Sequence, residues 1–221
     1  MNLVALMLAD SRFPGGGHAH SGGLEEAVAR RLVTDEGTLA PFLLGRLRTA
    51  GALGAVFAAA ATRAADAPGR YAELDAELDA RTPSPAQRAA SRAQGRRAAR
   101  AARRAWPSPA LAGLLRATPR PHHPIVVGVL VGDPFEAAQT VAYHAVTGPA
   151  TGAVRLLGLD PFGVNAVLAR LADEIDAVAR AAADHAGTAP VDLPAPASPG
   201  LDLLAEAHDR HHREEVRLFV S

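Results

Sequence analysis

The chain has 221 residues, enough for one substantial domain with a sizeable core. Its 23 basic and 23 acidic residues balance, which argues against a general nucleic-acid binder, a class that carries a basic surplus. There is no cysteine and every basic residue is arginine, so disulfide frameworks, thiolate chemistry, cysteine zinc sites and lysine Schiff bases are excluded.

Alanine dominates the apolar residues and aromatics are only 4% of the chain, a composition suited to closely packed helices. A short buried helix is expected over 2–9, marked by Leu3, Leu6 and Met7. The stretch Phe13-Pro14-Gly15-Gly16-Gly17-His18-Ala19-His20-Ser21-Gly22-Gly23 cannot continue it. Proline lacks a donor and successive glycines cost backbone entropy, so the chain turns here. Ser21 is placed to cap a second helix over 24–32, with Leu24, Val28 and Leu32 on one face and Glu25 and Glu26 in its first turn. The loop is not a phosphate cradle, because it has no lysine, and no β-branched strand precedes it as a dinucleotide site requires. His18 and His20 offer two metal ligands where a site wants three or four, so the loop reads first as a structural hairpin.

Thr34-Asp35-Glu36-Gly37 starts a third helix, continued by Leu39, Phe42, Leu43 and Leu47. Residues 50–65 are almost wholly apolar, as in a helix buried in the core or at an interface, and they are the candidate dimer surface. Residues 71–80 form a short helix with an acidic face, Glu73, Asp75, Glu77 and Asp79. Ser84-Pro85 then caps a helix over 86–106, in which Arg88, Arg92, Arg96, Arg100 and Arg104 recur every four residues, with Arg97 and Arg103 beside them. Like charges at that spacing repel. The preceding acidic helix, an acidic partner or solvent must offset them. No aromatics interleave, which weakens a nucleic-acid role.

Arg120-Pro121-His122-His123-Pro124 is a stiff link before the Val-rich 125–131, a helix rather than a strand because a lone strand has nothing to pair with. Asp133-Pro134 and Asp160-Pro161 are cap-plus-proline starts for helices over 135–146 and 162–183. Residues 187–200 read as a linker or surface loop. Residues 201–221 resume as a helical tail with Leu204, His208 and His211 near one face, ending in apolar residues that are tied down or await a partner. His208 and His212, four apart, could share a metal, but no companion carboxylate motif is present, and no Ser/His/Asp triad can be argued. No apolar run reaches membrane-span length and 1–9 is too short for a secretory signal, so a soluble cytoplasmic protein without a membrane or nucleic-acid partner is expected.

Several blocks resemble the UreF family of urease accessory proteins. Phe13, Pro14, Gly16, Ser21, Gly23, Leu24 and Glu25 match its N-terminal pattern Leu-Pro-x-Gly-x-x-x-x-Ser-x-Gly-Leu-Glu, with Phe13 in place of leucine. Arg81-Thr82 with Ser91, Gln94 and Gly95 resembles a second block. Residues 153–159 resemble an Ala-x-Lys-x-x-Pro-Leu-Gly-Gln stretch, with Arg155 at the lysine and Gly158 and Pro161 replacing proline and glutamine. His211, Arg217, Leu218, Phe219 and Ser221 resemble the family's terminal block. The resemblance implies a non-enzyme without a cofactor, an all-α, single-domain helical bundle of roughly eight to ten helices. It implies a core over 1–186, a linker over 187–200 and a partner-binding tail over 201–221. Expected partners are a UreD/UreH-type protein, a UreG-type GTPase, apo-urease and a second copy, in nickel insertion. Contacts are expected at Pro14, Gly16, His20, Ser21, Gly23, Glu25, Arg155, His211, Arg217, Leu218 and Phe219. A histidine-based nickel carrier is the alternative, and an arginine-rich nucleic-acid binder a weaker one.

Overall fold

The computed structural model describes residues 2–10, 12–15, 21–67 and 69–218, with side chains through 211. It is all-α, with twelve α-helices and no strand among the described residues, close to the expected number. Helices α1 (Leu3–Ala9) and α2 (Leu24–Ala29) flank the glycine loop. Helix α3 (Glu36–Arg46) runs through one π turn (Leu47–Gly51) into α4 (Ala52–Ala61). Then come α5 (Arg70–Ala80), α6 (Pro85–Ala105), α7 (Pro109–Ala117), α8 (His123–Val131) and α9 (Pro134–Leu157). The chain ends with α10 (Pro161–Arg170), α11 (Ala172–Ala183) and α12 (Pro199–Leu218).

Local chemistry sets most helix starts. Asp35 accepts from the Thr38 amide at 2.8 Å while the Thr38 hydroxyl accepts from the Asp35 amide, a reciprocal cap for α3. Ser84, Asp133 and Asp160 cap α6, α9 and α10, each with proline at the first position. Ser108-Pro109 repeats the device for α7, where the sequence shows only the end of α6. Ser21 does not cap α2. Gly23, at φ +92°, is its N-cap residue, and Ser21 contributes only its carbonyl, to the Leu24 amide at 3.1 Å.

Helix α4 is the axis of the core and packs against α8, α9 and α11. Every residue from Leu53 to Ala61 is buried. Its apolar surface is therefore consumed within this chain, which corrects the candidate dimer surface over 50–65. Small residues let the helices close up. A Cβ on Gly54 would lie 2.9 Å from Val141 of α9, and one on Gly128 of α8 would lie 2.2 Å from the Ala58 carbonyl. Dense packing at such crossings is what an alanine-rich, aromatic-poor core offers.

Two helix boundaries differ from the pattern. Helix α9 does not stop near Val146 but continues through Pro149 to Leu157, ending at Gly158 in the left-handed conformation. The long helix expected over 162–183 breaks at Leu171 (φ −89°, ψ −1°) into α10 and α11. In the 187–200 stretch a 3₁₀ turn, Pro190–Asp192, packs on α5, with Pro190 and Leu193 buried.

Candidate functional site

The two ends of the chain meet in one cleft of about 930 Å³, walled by the glycine-loop flank, α6, α9 and α12. Phe13 anchors the loop's N-terminal flank by stacking on Trp106 at the end of α6, ring centroids 6.1 Å apart. Arg46 anchors the C-terminal flank. Its guanidinium donates to the Gly22 carbonyl at 2.7 Å and to the Ala145 carbonyl of α9 at 2.9 Å. Among the described residues no carboxylate compensates it, and burial lowers its pKa to about 10. The π turn after Arg46 carries Ala50 and Gly51 to the cleft wall.

Helix α12 closes the other side. Glu206 accepts from the Ser84 hydroxyl at 2.5 Å and the Ala86 amide at 2.9 Å, so a carboxylate sits on the N-terminus of α6. Gln87 donates to Asp202 at 3.0 Å. Leu201 and Leu204 lie over Gly23. On α2, buried Glu26 takes the Arg30 guanidinium at 2.6 Å and His211 at 3.1 Å, and Glu25 faces His208 at 3.8 Å. Despite the burial, these two partners hold the Glu26 carboxyl below the usual carboxylate range.

The structure thus brings together Ser21, Gly23, Glu25 and His211 of the sequence-derived site. Pro14 is exposed on the loop's first turn. Arg155 is exposed on the last turn of α9 and does not line the cleft. Gly16, His20 and Phe219 lie outside the described residues, as do the side chains of Arg217 and Leu218. Sequence reasoning missed Arg46, Glu26 and Glu206. Arg46 had a signal: a lone cation one residue before Leu47 on a helix face that is otherwise apolar.

A second polar cluster lies beside the cleft and shares Ser91 with its lining. Arg92 bridges Asp75 at 2.9 Å and Asp79 at 2.8 Å, and Arg88 approaches Asp79 at 3.7 Å. His122 is 1% exposed. Its amide donates to Asp75, Nε2 to Asp79 and the Ser91 hydroxyl to its Nδ1, each at 3.0 Å. Burial, with Arg92 nearby, lowers the His122 pKa, so the ring is neutral and this tautomer follows. Ser91, His122 and Asp79 are the residue types of a hydrolytic triad, which the sequence did not reveal. Here they form a tie between α5, α6 and the start of α8. The carboxylate is already neutralised by two arginines, and the serine hydroxyl also accepts the His123 amide at 3.3 Å. The acidic helix does offset the first two arginines of α6.

Fold and site together define a class: an all-α protein in which both chain ends wall one cleft. Among the described residues no group of three or more His, Cys, Asp or Glu side chains is arranged to hold a metal ion. The helix over 36–61 is long and apolar enough to cross a membrane by composition, and 56% of its apolar window is buried inside the protein.

The family model for UreF matches residues 33–172. Urease accessory protein UreF of Mycobacterium sp. (strain JLS) is 48% identical over 220 residues, spanning 98% of this chain and 97% of the relative. Urease accessory protein UreF of Mycobacterium bovis (strain BCG / Pasteur 1173P2) is 46% identical over 223 residues, covering 99% of this chain and 98% of its own. That of Mycolicibacterium vanbaalenii is 46% identical over 220 residues, 98% and 97% of the two chains. The chain belongs to the UreF family. It is a urease accessory protein and not an enzyme.

Proposed function

We propose that the chain is a scaffold in urease maturation. With a UreD/UreH-type accessory protein and a UreG-type GTPase it forms the complex that delivers nickel to apo-urease, and it regulates the GTPase. The observation that carries this reading is the cleft in which Ser21, Gly23 and Glu25 meet α12, a docking surface built by two distant stretches of chain. Pro14, Gly16, His20, Ser21, Gly23 and Glu25 supply the N-terminal contact. His211, Arg217, Leu218 and Phe219 supply the C-terminal one, in a tail over 201–221 that follows the 1–186 core and the 187–200 connection. Arg155, exposed on α9, is a separate contact whose fixed charge braces a switch segment of the GTPase. The working form is a cytoplasmic homodimer.

Light scattering after size exclusion tests this, first on the chain alone and then with its cognate UreD- and UreG-type proteins. A dimer that shifts to a larger stable complex is expected, and deleting residues 218–221 weakens the UreD-type contact. A chain that ignores both partners, or whose deletion variant binds as before, overturns the corresponding assignment. Tight nickel binding by the isolated chain in equilibrium dialysis would instead mark a histidine-based carrier.

A further inference from the structure

We propose that the outward face of the second half of α6 docks an acidic helix of a partner protein whose carboxylates repeat every four residues. Helix α6 holds seven arginines and no acidic residue. The first two, Arg88 and Arg92, are matched within the chain by Asp79 and Asp75 of α5, themselves four residues apart. One turn further back on α5 the position is Tyr71, so the carboxylate row stops while the arginine row continues.

Arg96, Arg97, Arg100, Arg103 and Arg104 are all exposed, and none has a hydrogen bond or ion pair among the described residues. At 100° per residue they fall within an arc of about 120°, along about 12 Å of helix axis. The helix dipole accounts for Arg103 and Arg104 in the last turn, but not for Arg96, Arg97 and Arg100. Arginine forks match carboxylates in bidentate geometry, and Arg92 already takes two carboxylates four residues apart on one helix, Asp75 and Asp79.

A protein partner fits better than a nucleic acid. The chain as a whole carries no net charge. No aromatic residue lies on the face, and the nearby Trp106 is half-buried and stacked on Phe13. The proposal is separate from the cleft assignment and stands or falls on its own.

The test titrates the full chain, by fluorescence anisotropy at low salt, against a synthetic helical peptide with glutamates at four-residue spacing. A peptide of equal composition with the glutamates scattered around the helix and a short duplex DNA are the comparisons. The patterned peptide should bind about tenfold more tightly than the scattered one, and more weakly as salt rises. The variant Arg96→Gln/Arg100→Gln/Arg104→Gln should lose about tenfold with unchanged helicity by circular dichroism. Removing three exposed arginines elsewhere, Arg63→Gln/Arg116→Gln/Arg170→Gln, should leave binding intact. Equal binding of the two peptides, indifference to the α6 variant, or tighter binding of duplex DNA overturns the proposal.

Discussion

Arg46 Nε donates to the carbonyl of Ala145 at 2.9 Å, across 99 residues of chain. Ala145 lies four residues before Pro149, and an α-helical carbonyl at that position normally accepts from the residue four ahead. Proline has no amide hydrogen to give. The arginine supplies the missing donor, which is why α9 continues through Pro149, and its other arm holds Gly22 at the edge of the glycine loop.

Arg46→Met should therefore cost about 1–3 kcal/mol and loosen two elements together. Hydrogen exchange at the amides of 21–24 and in the middle of α9 should speed up. In a Pro149→Ala background the amide returns to Ala145, and the same substitution should cost measurably less. Equal costs in both backgrounds would remove the link between Arg46 and Pro149.

The Arg92 bridge makes a second prediction. Asp75 is buried, and it also accepts the His122 amide at 3.0 Å and the Thr118 hydroxyl at 3.3 Å. Arg92→Ala strips the cation from that carboxylate and should destabilise by about 3 kcal/mol in urea titrations. Asp75→Asn in the Arg92→Ala background should recover part of the loss. A double variant no better than the sum of the singles would mean the pair does not act as a unit.

Stability should rise with pH between about 5 and 7. Burial lowers the pKa values of His122 and His144 below the ordinary histidine value of 6.5. His144 donates from Nε2 to the Leu8 carbonyl at 3.1 Å, so its neutral form ties α9 to the end of α1. The unfolded chain therefore binds protons near pH 6.5 that the folded chain refuses. The stabilisation is full above that pH and is lost as pH falls through it toward the lowered folded values. Urea midpoints at pH 8, 7, 6 and 5.5 should decline in that order, and His122→Gln should flatten the slope. A midpoint that climbs on acidification contradicts this.

Two glycine substitutions should act in opposite directions. Gly128→Ala drives a methyl group into the Ala58 carbonyl at the α4–α8 crossing and should cost about 3 kcal/mol. Gly45→Ala, on α3, meets nothing within 4 Å among the described residues and should stabilise by about 0.5–1 kcal/mol through lower unfolded-state entropy. Thermal melts of the two variants should move Tm down and up respectively, and the same sign for both would overturn the packing argument.

The sequence by itself determined the helical class, the end of α1 before the glycine stretch and the starts of α3, α6, α9 and α10. These rest on composition and on neighbouring residues: an oxygen-bearing cap, a proline at the first position, or residues that cannot continue a helix. It also carried the family, because ordered motifs survive as letters. Tertiary structure alone decided what lies far apart in the chain. Pro149 reads as a helix breaker until Arg46 is beside it. The run over 50–65 reads equally as core or interface until α8, α9 and α11 close around it. Ser91, His122 and Asp79 are unrelated letters until α5 and α6 pack against the start of α8. Glu25 and Glu26 meet His208 and His211 only because α12 folds back on α2. Cap and turn preferences act over a few residues, whereas a buried ion pair or an orphaned carbonyl is answered by whichever side chain the packing delivers.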